Sequence, residues 1–557
     1  MPRDLWIIEA PGKIATLSKS LAALNREADV IATSGYIMTF RGWLGITPDL
    51  RDKGRVPVNE EIVPRLREAA RVASRIFIAT DADSAGNVIA LDVAQVIADI
   101  APSPQRVRLS GLDSESVRRA LRDAGPVTAF DAAAGRGRAM IDRIIGVAFS
   151  TGSGSTGRIK ASVLSRVSEA PPGYANVYTL VAPASDSGPA FHLEISPDRQ
   201  IGMEALETLL RASIRPVQPG DLCDTGFAPR HFGDILIAAT DEAARHGEDR
   251  SVAEIGRVFQ QVYTDGKTSY LRSNTRGYSE YAHAKIRASA GWLGPGVSVN
   301  EKTIRASARN GHDAPYLTAP AAPVGAPGML TPNHLLAEIG NSNVRATHYW
   351  PVQVPDAADL RQALIEAGVD AATARKLSER RWLRWDGAVP PGLKQHVTSS
   401  RLTRRADVAV LALMLEHGIG KAGSWPNVPE AMTGGEEPLV DLDGAGSIAL
   451  TAAGQAALDA TPAFLRDPSF SMAVEAACIE QAGGGDQPWR QIVISVMEAL
   501  PMDAKAQVRK TLMTGHGPRE ERVEASQISV PTIADLGVDT SVRVDEPQPV
   551  MAPIRFA

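Results

Sequence analysis

Three acidic residues directly follow two short apolar runs near the start of this 557-residue chain. Glu9 follows the run Leu5 to Ile8, and Asp81 with Asp83 follows the run Ile76 to Ala79. If both runs are parallel strands, their carboxyl ends bring the three carboxylates to one edge of a sheet. Mg²⁺ prefers such oxygen ligands. The spacing therefore fits a magnesium site, although aspartate is also common in a simple turn after a strand.

A lysine lies four residues beyond the first of these acids. Lys13 could reach a phosphate or protonate a leaving oxygen, while a lone lysine in a loop is more often a solvated surface charge.

A tyrosine and an arginine two residues apart, Tyr270 and Arg272, are the next candidates for chemistry. A phenol, with a pKa of about 10, is a weak nucleophile near neutral pH and needs a base or a nearby positive charge. On an extended segment the two side chains share a face, so Arg272 could hold the phosphate that Tyr270 attacks. These residues alone also fit a half-buried tyrosine beside a surface arginine.

The elements that must position these residues follow from the hydrophobic pattern. Over the first 150 residues, short apolar runs alternate with amphipathic stretches, which is typical of an α/β domain. Residues 177–218 mix strand-like runs with Pro and Gly, residues 226–320 are richer in helical patterning, and residues 405–513 are mostly helical. The segment QQVYTDGK before the tyrosine predicts a strand or a turn. Residues 151–158 and 318–331 predict connections.

Length and composition indicate a multidomain globular protein. The length predicts three or four domains of roughly 100–200 residues. With 59 basic and 64 acidic residues the net charge is −5, so any nucleic-acid contact must use local basic patches. Two cysteines can form neither a disulfide framework nor a four-cysteine zinc site, which fits a reducing cytoplasm. Because no signal peptide or membrane span is visible, we expect a soluble intracellular protein.

Three segments in order resemble the Toprim motifs of type IA topoisomerases. WIIEAPGK at 6–13 resembles the ESPxK opening, ATSGYIMTF at 32–40 resembles ASxGHIxDL, and IATDADSAGNVIA at 78–90 resembles ATDPDREGEAIA. Downstream, TSYLRSNTRGYSEYA at 268–282 resembles the family's active-site signature TYPRTDSxxYP, with Tyr270 as the matching tyrosine. HDAPYLT at 312–318 looks like HEAIRPT.

Further similarities follow in the family's order. GRGRAMIDRIIG at 135–146 resembles the helix that ends in LDRLVG, and GSTGRIKAS at 154–162 resembles LSAGRVQS, which matches Arg158 to a family arginine. EHGIGKAGSW at 416–425, IALTAAGQAAL at 448–458 and FSMAVEAACIEQ at 470–481 resemble later family segments. Residues 331–405 have no counterpart. There, basic residues alternate with Trp382 and Trp385, either to stack on single-strand bases or as an amphipathic helix with core tryptophans.

This chain departs from the family pattern at several positions. The third acid of the DxDxE motif is replaced by Ala85, and the following glutamate by Asn87. The other departures are Ser84 for arginine, Tyr36 for histidine, Asn274 for aspartate and Tyr316 for arginine. Since two carboxylates with waters still hold magnesium, we expect weaker binding rather than none.

The resemblance implies a multidomain fold of α/β and mainly α parts. An N-terminal Toprim parallel sheet precedes helical and arch domains that together form a toroidal core. The expected domains are Toprim at 1–150, a helical DNA-binding base at 151–176 and 405–514, an arch at 177–225 and 321–404, the active-site tyrosine domain at 226–320, and a flexible tail at 515–557.

The resemblance also implies a function and a site. A type IA topoisomerase cuts one DNA strand through a 5′-phosphotyrosyl link, passes a strand and reseals without ATP, which relaxes negative supercoils. No phosphate loop for a nucleotide is visible. We expect single-stranded and negatively supercoiled DNA as partner, no membrane or nucleotide partner, a monomer, and a cytoplasmic, nucleoid-associated location. The implied catalytic residues are Tyr270, Arg272, Glu9, Lys13, Arg158 and His312, and the implied Mg²⁺ ligands are Glu9, Asp81 and Asp83.

Two other classes stay open. Loss of the third acid fits a degenerate relative that binds DNA with weak or no cleavage. A Toprim nuclease or primase-like enzyme is the other alternative, against which the tyrosine signature argues.

Overall fold

The computed structural model of the protein describes most of the chain outside the expected arch and the two termini. The described residues are 3–101, 103–150, 157–182, 191–195, 230–245, 247–289, 313–319, 348–351, 357–366, 371–372, 374–375, 382–385, 398–480 and 482–518. His312 and the expected tail beyond residue 518 lie outside these ranges, as does most of the 318–331 connection.

The N-terminal region is an α/β unit with a mostly parallel sheet. Its elements are β1 (Asp4–Ile8), α1 (Ile14–Ala23), β2 (Ala28–Ala32), β3 (Met38–Phe40), β4 (Arg55–Pro57), α2 (Ile62–Val72), β5 (Ile76–Ile78), α3 (Ser84–Val96), β6 (Gln105–Arg106), α4 (Ser114–Arg122), β7 (Gly125–Pro126) and α5 (Ala129–Phe149). The sheet order is β2-β1-β5-β6-β7, in which only β7 is antiparallel to its neighbour. Strands β3 and β4 form a separate antiparallel pair.

Strand β1 lies inside this sheet because its whole sequence suits a buried position. All five residues of DLWII are buried, and Leu5 pairs with Asp29 on one side and Ile76 on the other. A continuous apolar run is typical of a parallel strand covered on both faces. The sequence prediction of buried strands at Leu5 to Ile8 and at Ile76 is confirmed.

The middle of the chain combines helices with two small antiparallel sheets. Its elements are α6 (Arg158–Ser168), β8 (Asn176–Ala182), β9 (Phe191–Ile195), α7 (Phe232–Arg245), α8 (Val252–Thr264), α9 (Glu280–Ser289), β10 (His348–Pro351), α10 (Ala357–Glu366), β11 (Trp382–Trp385) and β12 (Thr398–Thr403). One sheet has the order β12-β8-β9, and β10 pairs with β11. The helical alternative for the tryptophan pair is therefore wrong, since both tryptophans lie in a strand.

The segment before Tyr270 also differs from the sequence prediction. QQVYT ends helix α8, and only Asp265 and Gly266 form a turn, so a strand there is wrong. The capping box of Ser251 and Glu254 starts this helix, and its apolar residues keep the helical period up to Tyr263.

The C-terminal described part is mainly helical. It contains α11 (Ala406–Glu416), α12 (Asn427–Thr433), β13 (Val440–Leu442), β14 (Ile448–Leu450), α13 (Ala452–Asp459), α14 (Ala463–Arg466), α15 (Pro468–Glu480), α16 (Trp489–Ala499) and α17 (Met502–Thr514). Across the described residues, no helix has both the length and the apolar character that a bilayer crossing requires.

One hydrophobic core joins parts that are distant in the sequence. It unites Trp6 of β1, Phe259 of α8, Tyr270, Leu317 and Leu411 of α11. A second cluster packs α5 against helices α15, α16 and α17. The segment around Tyr270, called the tyrosine segment below, is thus packed directly against the N-terminal sheet. The expected domain boundaries stay a prediction.

Candidate active site

The three predicted acids meet at the carboxyl edge of the sheet. Glu9 directly follows β1, and Asp81 follows its parallel neighbour β5. Asp83 caps helix α3 by accepting a hydrogen bond from the Gly86 amide at 2.7 Å. A Cβ atom at Gly86 would lie 1.9 Å from the Asp81 carbonyl oxygen, so only glycine permits this tight loop.

Lys13 is buried rather than solvated. It ends the 3-10 turn Pro11–Lys13 after β1, and its side chain is 3% exposed. Its ammonium donates to the Asp81 carboxylate and lies 4.7 Å from the ring centroid of Tyr263. Burial lowers the pKa of Lys13, but Tyr263 and Asp81 outweigh that effect, so the pKa lies above its usual value. The lysine is therefore a fixed cation inside the acid cluster.

Tyr270 lies against the same acids. Its hydroxyl donates to Asp83 Oδ2 at 2.5 Å, and its amide donates to the Ser110 carbonyl at 2.9 Å. The residue is 3% exposed, and its ring meets that of Tyr263 edge-on at 5.7 Å between centroids. Burial, followed by Asp83 and Asp81, raises the pKa of Tyr270 well above its usual value. The phenol is therefore neutral, and Asp83 is placed to accept its proton.

Arg272 lies two residues beyond Tyr270 and interacts electrostatically with Tyr270, Asp81 and Asp83. Burial lowers the pKa of Arg272, but Tyr270 and Asp81 raise it more strongly. The residue as a whole is exposed to solvent.

Glu9 holds a proton near neutral pH. Burial, followed by repulsion from Asp81 and Asp83, raises the pKa of Glu9 to about 8. Its Oε2 atom is buried and has no hydrogen-bond partner among the described residues. A carboxyl group with such a pKa can both donate and accept a proton under physiological conditions.

The arrangement of the acids does not provide a ready metal site. Within the described part of the chain, no three His, Cys, Asp or Glu side chains are arranged to hold a metal ion. Asp81 is paired with Lys13, and Asp83 accepts from both Gly86 and Tyr270. A divalent ion would have to displace some of these contacts.

Arg158 belongs to a neighbouring ion-pair network instead of the tyrosine cluster. It binds Asp142 at 2.8 Å and Glu475 at 2.7 Å. Arg138 also binds Glu475 and donates to the Ser84 hydroxyl at 3.1 Å. Ser84 lies next to the loop that carries Asp81 and Asp83, called the acid loop below. Burial raises the pKa of Glu475, but Arg138 and Arg158 outweigh it and lower the pKa to about 2. Among the described residues, Arg158 is thus connected to the loop that carries Asp81 and Asp83 through Glu475 and Arg138.

Comparison with known proteins gives a consistent result. Residues 4–112 match the Toprim domain family. DNA topoisomerase 1 of Campylobacter jejuni is 25% identical over 178 residues, which are 29% of this chain and 25% of that protein. DNA topoisomerase 1 of Helicobacter pylori strain J99 is 27% identical over 179 residues, 30% of this chain and 24% of that protein. The matched stretch thus spans about a quarter of these curated relatives.

Comparison of folds gives a similarity that covers nearly the whole chain. Full-length topoisomerase I from Thermotoga maritima superposes with a TM-score of 0.57 at 16% identity, covering 91% of this chain and 90% of that one. This chain therefore contains a Toprim domain and is similar to bacterial DNA topoisomerase 1 in sequence and to topoisomerase I in fold. The expected combination of an N-terminal Toprim sheet with many helices in a mixed α/β fold is confirmed.

The departures of this topoisomerase relative from the family motifs have visible structural partners. Arg138 contacts Ser84, where the family motif has arginine. Asn87, in the place of glutamate, accepts from Arg106 at 3.0 Å. Asn274, in the place of aspartate, accepts from the Ala422 amide at 3.0 Å and so ties the tyrosine segment to the loop after α11.

Three site residues escaped the sequence analysis. They are Tyr263, Arg106 and Arg138, none of which is among the candidates that the sequence predicts. Tyr263 lies in the last turn of helix α8, which the sequence analysis did not predict as helical. The partners of Arg106 and Arg138 depend on tertiary contacts that no local pattern encodes.

Proposed function

We propose that this protein is an ATP-independent type IA topoisomerase that cuts one DNA strand through Tyr270. The observation that carries the proposal is the 2.5 Å hydrogen bond from the Tyr270 hydroxyl to Asp83, inside a cluster that also holds Glu9, Lys13 and Arg272. A nucleophile, a proton acceptor and two cations then lie within one small site.

In the proposed cleavage step, the Tyr270 oxygen attacks a backbone phosphorus atom. The bond from phosphorus to the 3′ oxygen breaks, and the new bond links the 5′ phosphate to the tyrosine. Asp83 takes the phenolic proton, and Arg272 stabilises the charge on the phosphoryl oxygens. The leaving 3′ oxygen takes a proton from Lys13 or Glu9. Because one ester replaces another, rejoining needs no nucleotide.

In the rejoining step, Glu9 is suited to accept the proton of the 3′ hydroxyl. Its pKa of about 8 leaves part of the population deprotonated near neutral pH. Toprim domains typically bind a divalent metal, and Glu9, Asp81 and Asp83 are the residues that would hold Mg²⁺. The donor set fits that ion weakly, because Lys13 and Tyr270 already occupy two of the carboxylates.

Access to the site requires the tyrosine segment to move away from the sheet. Tyr270 is 3% exposed, so a DNA strand cannot reach its hydroxyl in the arrangement described. Parting of these elements would admit a single strand and allow a second strand to pass. We propose that the protein acts in this way as a monomer on under-wound DNA in the cytoplasm, with Arg158 and His312 as further phosphate contacts.

A covalent-trapping experiment tests the proposal. A single-stranded oligonucleotide labelled at its 3′ end should form a denaturation-resistant adduct with the wild type and none with Tyr270→Phe. Tyr278→Phe is the matched control, because Tyr278 is buried in the same segment but hydrogen-bonds only weakly to Pro315. This control should retain the adduct.

Two outcomes would contradict the proposal. Binding of the oligonucleotide without an adduct under any metal condition would favour a degenerate DNA-binding relative, a reading that Ala85 and Asn87 in place of acids also favour. Metal-dependent hydrolysis that persists in Tyr270→Phe would favour a Toprim nuclease.

A further inference from the structure

Resting on the proposed function, we propose that Lys13, Arg106 and Arg272 supply the positive charge at the acid cluster, so that strand cutting and rejoining proceed without a bound divalent ion. The inference concerns what replaces the metal in this chain. It follows from the contacts of two buried cations and from the neutral side chains at positions 85 and 87.

Arg106 is the first of these cations. It is 1% exposed and lies behind the acid loop, where its guanidinium donates to the Asp81 carbonyl at 2.7 Å and the Thr80 carbonyl at 2.8 Å. Its remaining side-chain partner is the Asn87 amide oxygen. Among the described residues no carboxylate forms an ion pair with Arg106. Its full charge therefore acts on Asp81 and Asp83 through a medium of low polarity.

Lys13 is the second cation, and it is paired with a carboxylate that would have to bind the metal. Its ammonium binds the Asp81 carboxylate directly, with 3% and 12% side-chain exposure for the two partners. A divalent ion at Asp81 must break this pair and leave the ammonium buried beside a second cation. Removing one partner of a buried pair is strongly unfavourable.

The balance of charges in the cluster points the same way. Even with Glu9 ionised, the three carboxylates of Glu9, Asp81 and Asp83 only balance the charges of the nearby Lys13, Arg106 and Arg272. Nearby Arg138 is already paired with Glu475. A divalent ion would therefore leave the cluster with a net positive charge.

Introducing glutamate at positions 85 and 87 would make the net charge of the cluster negative. With glutamate at both Ala85 and Asn87, the same cluster would carry five carboxylates against three cations, an excess that one divalent ion neutralises. Ala85 lies beside Asp83 at the start of α3, and Asn87 already contacts Arg106. The double variant should thus gain the metal site that the wild type lacks.

The first test measures metal binding without reference to activity. Mn²⁺ is titrated into the full chain and followed by electron paramagnetic resonance, with Ala85→Glu/Asn87→Glu compared against the wild type. Ala85→Gln/Asn87→Gln is the matched control of nearly equal size. We expect the Glu variant to bind Mn²⁺ at least about tenfold more tightly than both others. Equal affinity of the wild type and the Glu variant would overturn the proposal.

The second test measures the chemistry. Adduct formation and rejoining are timed for the wild type in excess EDTA and in Mg²⁺, with ionic strength matched because salt weakens DNA binding. We expect each rate to differ by less than about tenfold between the two conditions. Rejoining that stops in EDTA would refute the inference, while an adduct that still forms would leave the proposed function standing. Failure to form an adduct in either condition would instead overturn the proposed function.

Discussion

The pair formed by Lys13 and Asp81 allows the energetics of the site to be tested apart from DNA. Their side chains are 3% and 12% exposed, so both charges are largely removed from water. Removing one partner of such a pair typically costs about 3–5 kcal/mol, because the other charge stays buried and unpaired. We therefore expect Lys13→Met to lower the local unfolding free energy of β1 and β5 by about 3–5 kcal/mol.

A second substitution separates this effect from lost packing. Asp81→Asn removes the charge that Lys13→Met leaves behind, so the double variant should recover most of the loss. The measurement is amide hydrogen exchange of the peptides covering Leu5–Ile8 and Ile76–Ile78, read by mass spectrometry, since it reports local opening. The cycle thus gives the interaction energy of the pair directly.

The stability of Lys13→Met should also depend on pH, and the direction of that dependence is an independent test. In Lys13→Met, Glu9 loses a cation that lowers its pKa, so the pKa of Glu9 in the folded chain rises further above its value in the unfolded chain. The folded state then binds more protons, and the stability of the variant falls as pH rises. We expect a smaller defect at about pH 5.5 than at about pH 8. A loss below about 1 kcal/mol, or one that Asp81→Asn increases, would refute the reasoning.

Three further variants probe the rest of the site. Glu9→Gln should abolish a fall in unfolding free energy between about pH 4.5 and 8, measured by urea unfolding, because the unfolded wild type releases the Glu9 proton first. Gly86→Ala should abolish adduct formation in folded protein, measured by trapping and circular dichroism, because its Cβ atom would overlap the Asp81 carbonyl. Glu475→Gln should lower the urea-unfolding free energy by about 3–5 kcal/mol, since Arg138 and Arg158 lose a buried counter-charge.

Matched controls accompany these variants. Gly125→Ala places a Cβ atom with nothing within 4 Å and should retain the adduct. Glu480 is exposed, so Glu480→Gln should leave the unfolding free energy nearly unchanged. A wild type whose stability does not vary with pH in the stated window, or an active Gly86→Ala, would contradict the corresponding expectation.

The acid cluster could be predicted from the sequence because its position depends on one local rule. Both apolar runs form parallel strands, and residues that follow neighbouring strands lie at the same edge. Glu9 and Asp81 therefore meet as expected. Tyr270 could not be brought to them by any such rule, since 187 residues separate it from Asp83. Only the resemblance to the tyrosine signature predicted a shared site.

The burial and ion pairing of the charged residues at the site could not be predicted from the sequence, for a different reason. Burial decides whether a lysine is a solvated surface charge or a fixed cation, and Lys13 is buried by Tyr263 from a distant helix. Arg158 depends likewise on Glu475, which lies 317 residues away. The end of helix α8 was missed because Asp265 and Gly266, which predict a turn, directly follow its last apolar residues.

Trp6, Phe259 and Tyr270 pack in one hydrophobic core, so the free energy of opening the site should depend on temperature. Parting these elements transfers apolar surface into water, which raises the heat capacity in the same way as partial denaturation does. The equilibrium between shut and open forms must then curve with temperature. Cooling as well as warming from its optimum would favour the open form, and calorimetry of oligonucleotide binding would register this as a heat-capacity change opposite in sign to that of ordinary apolar association.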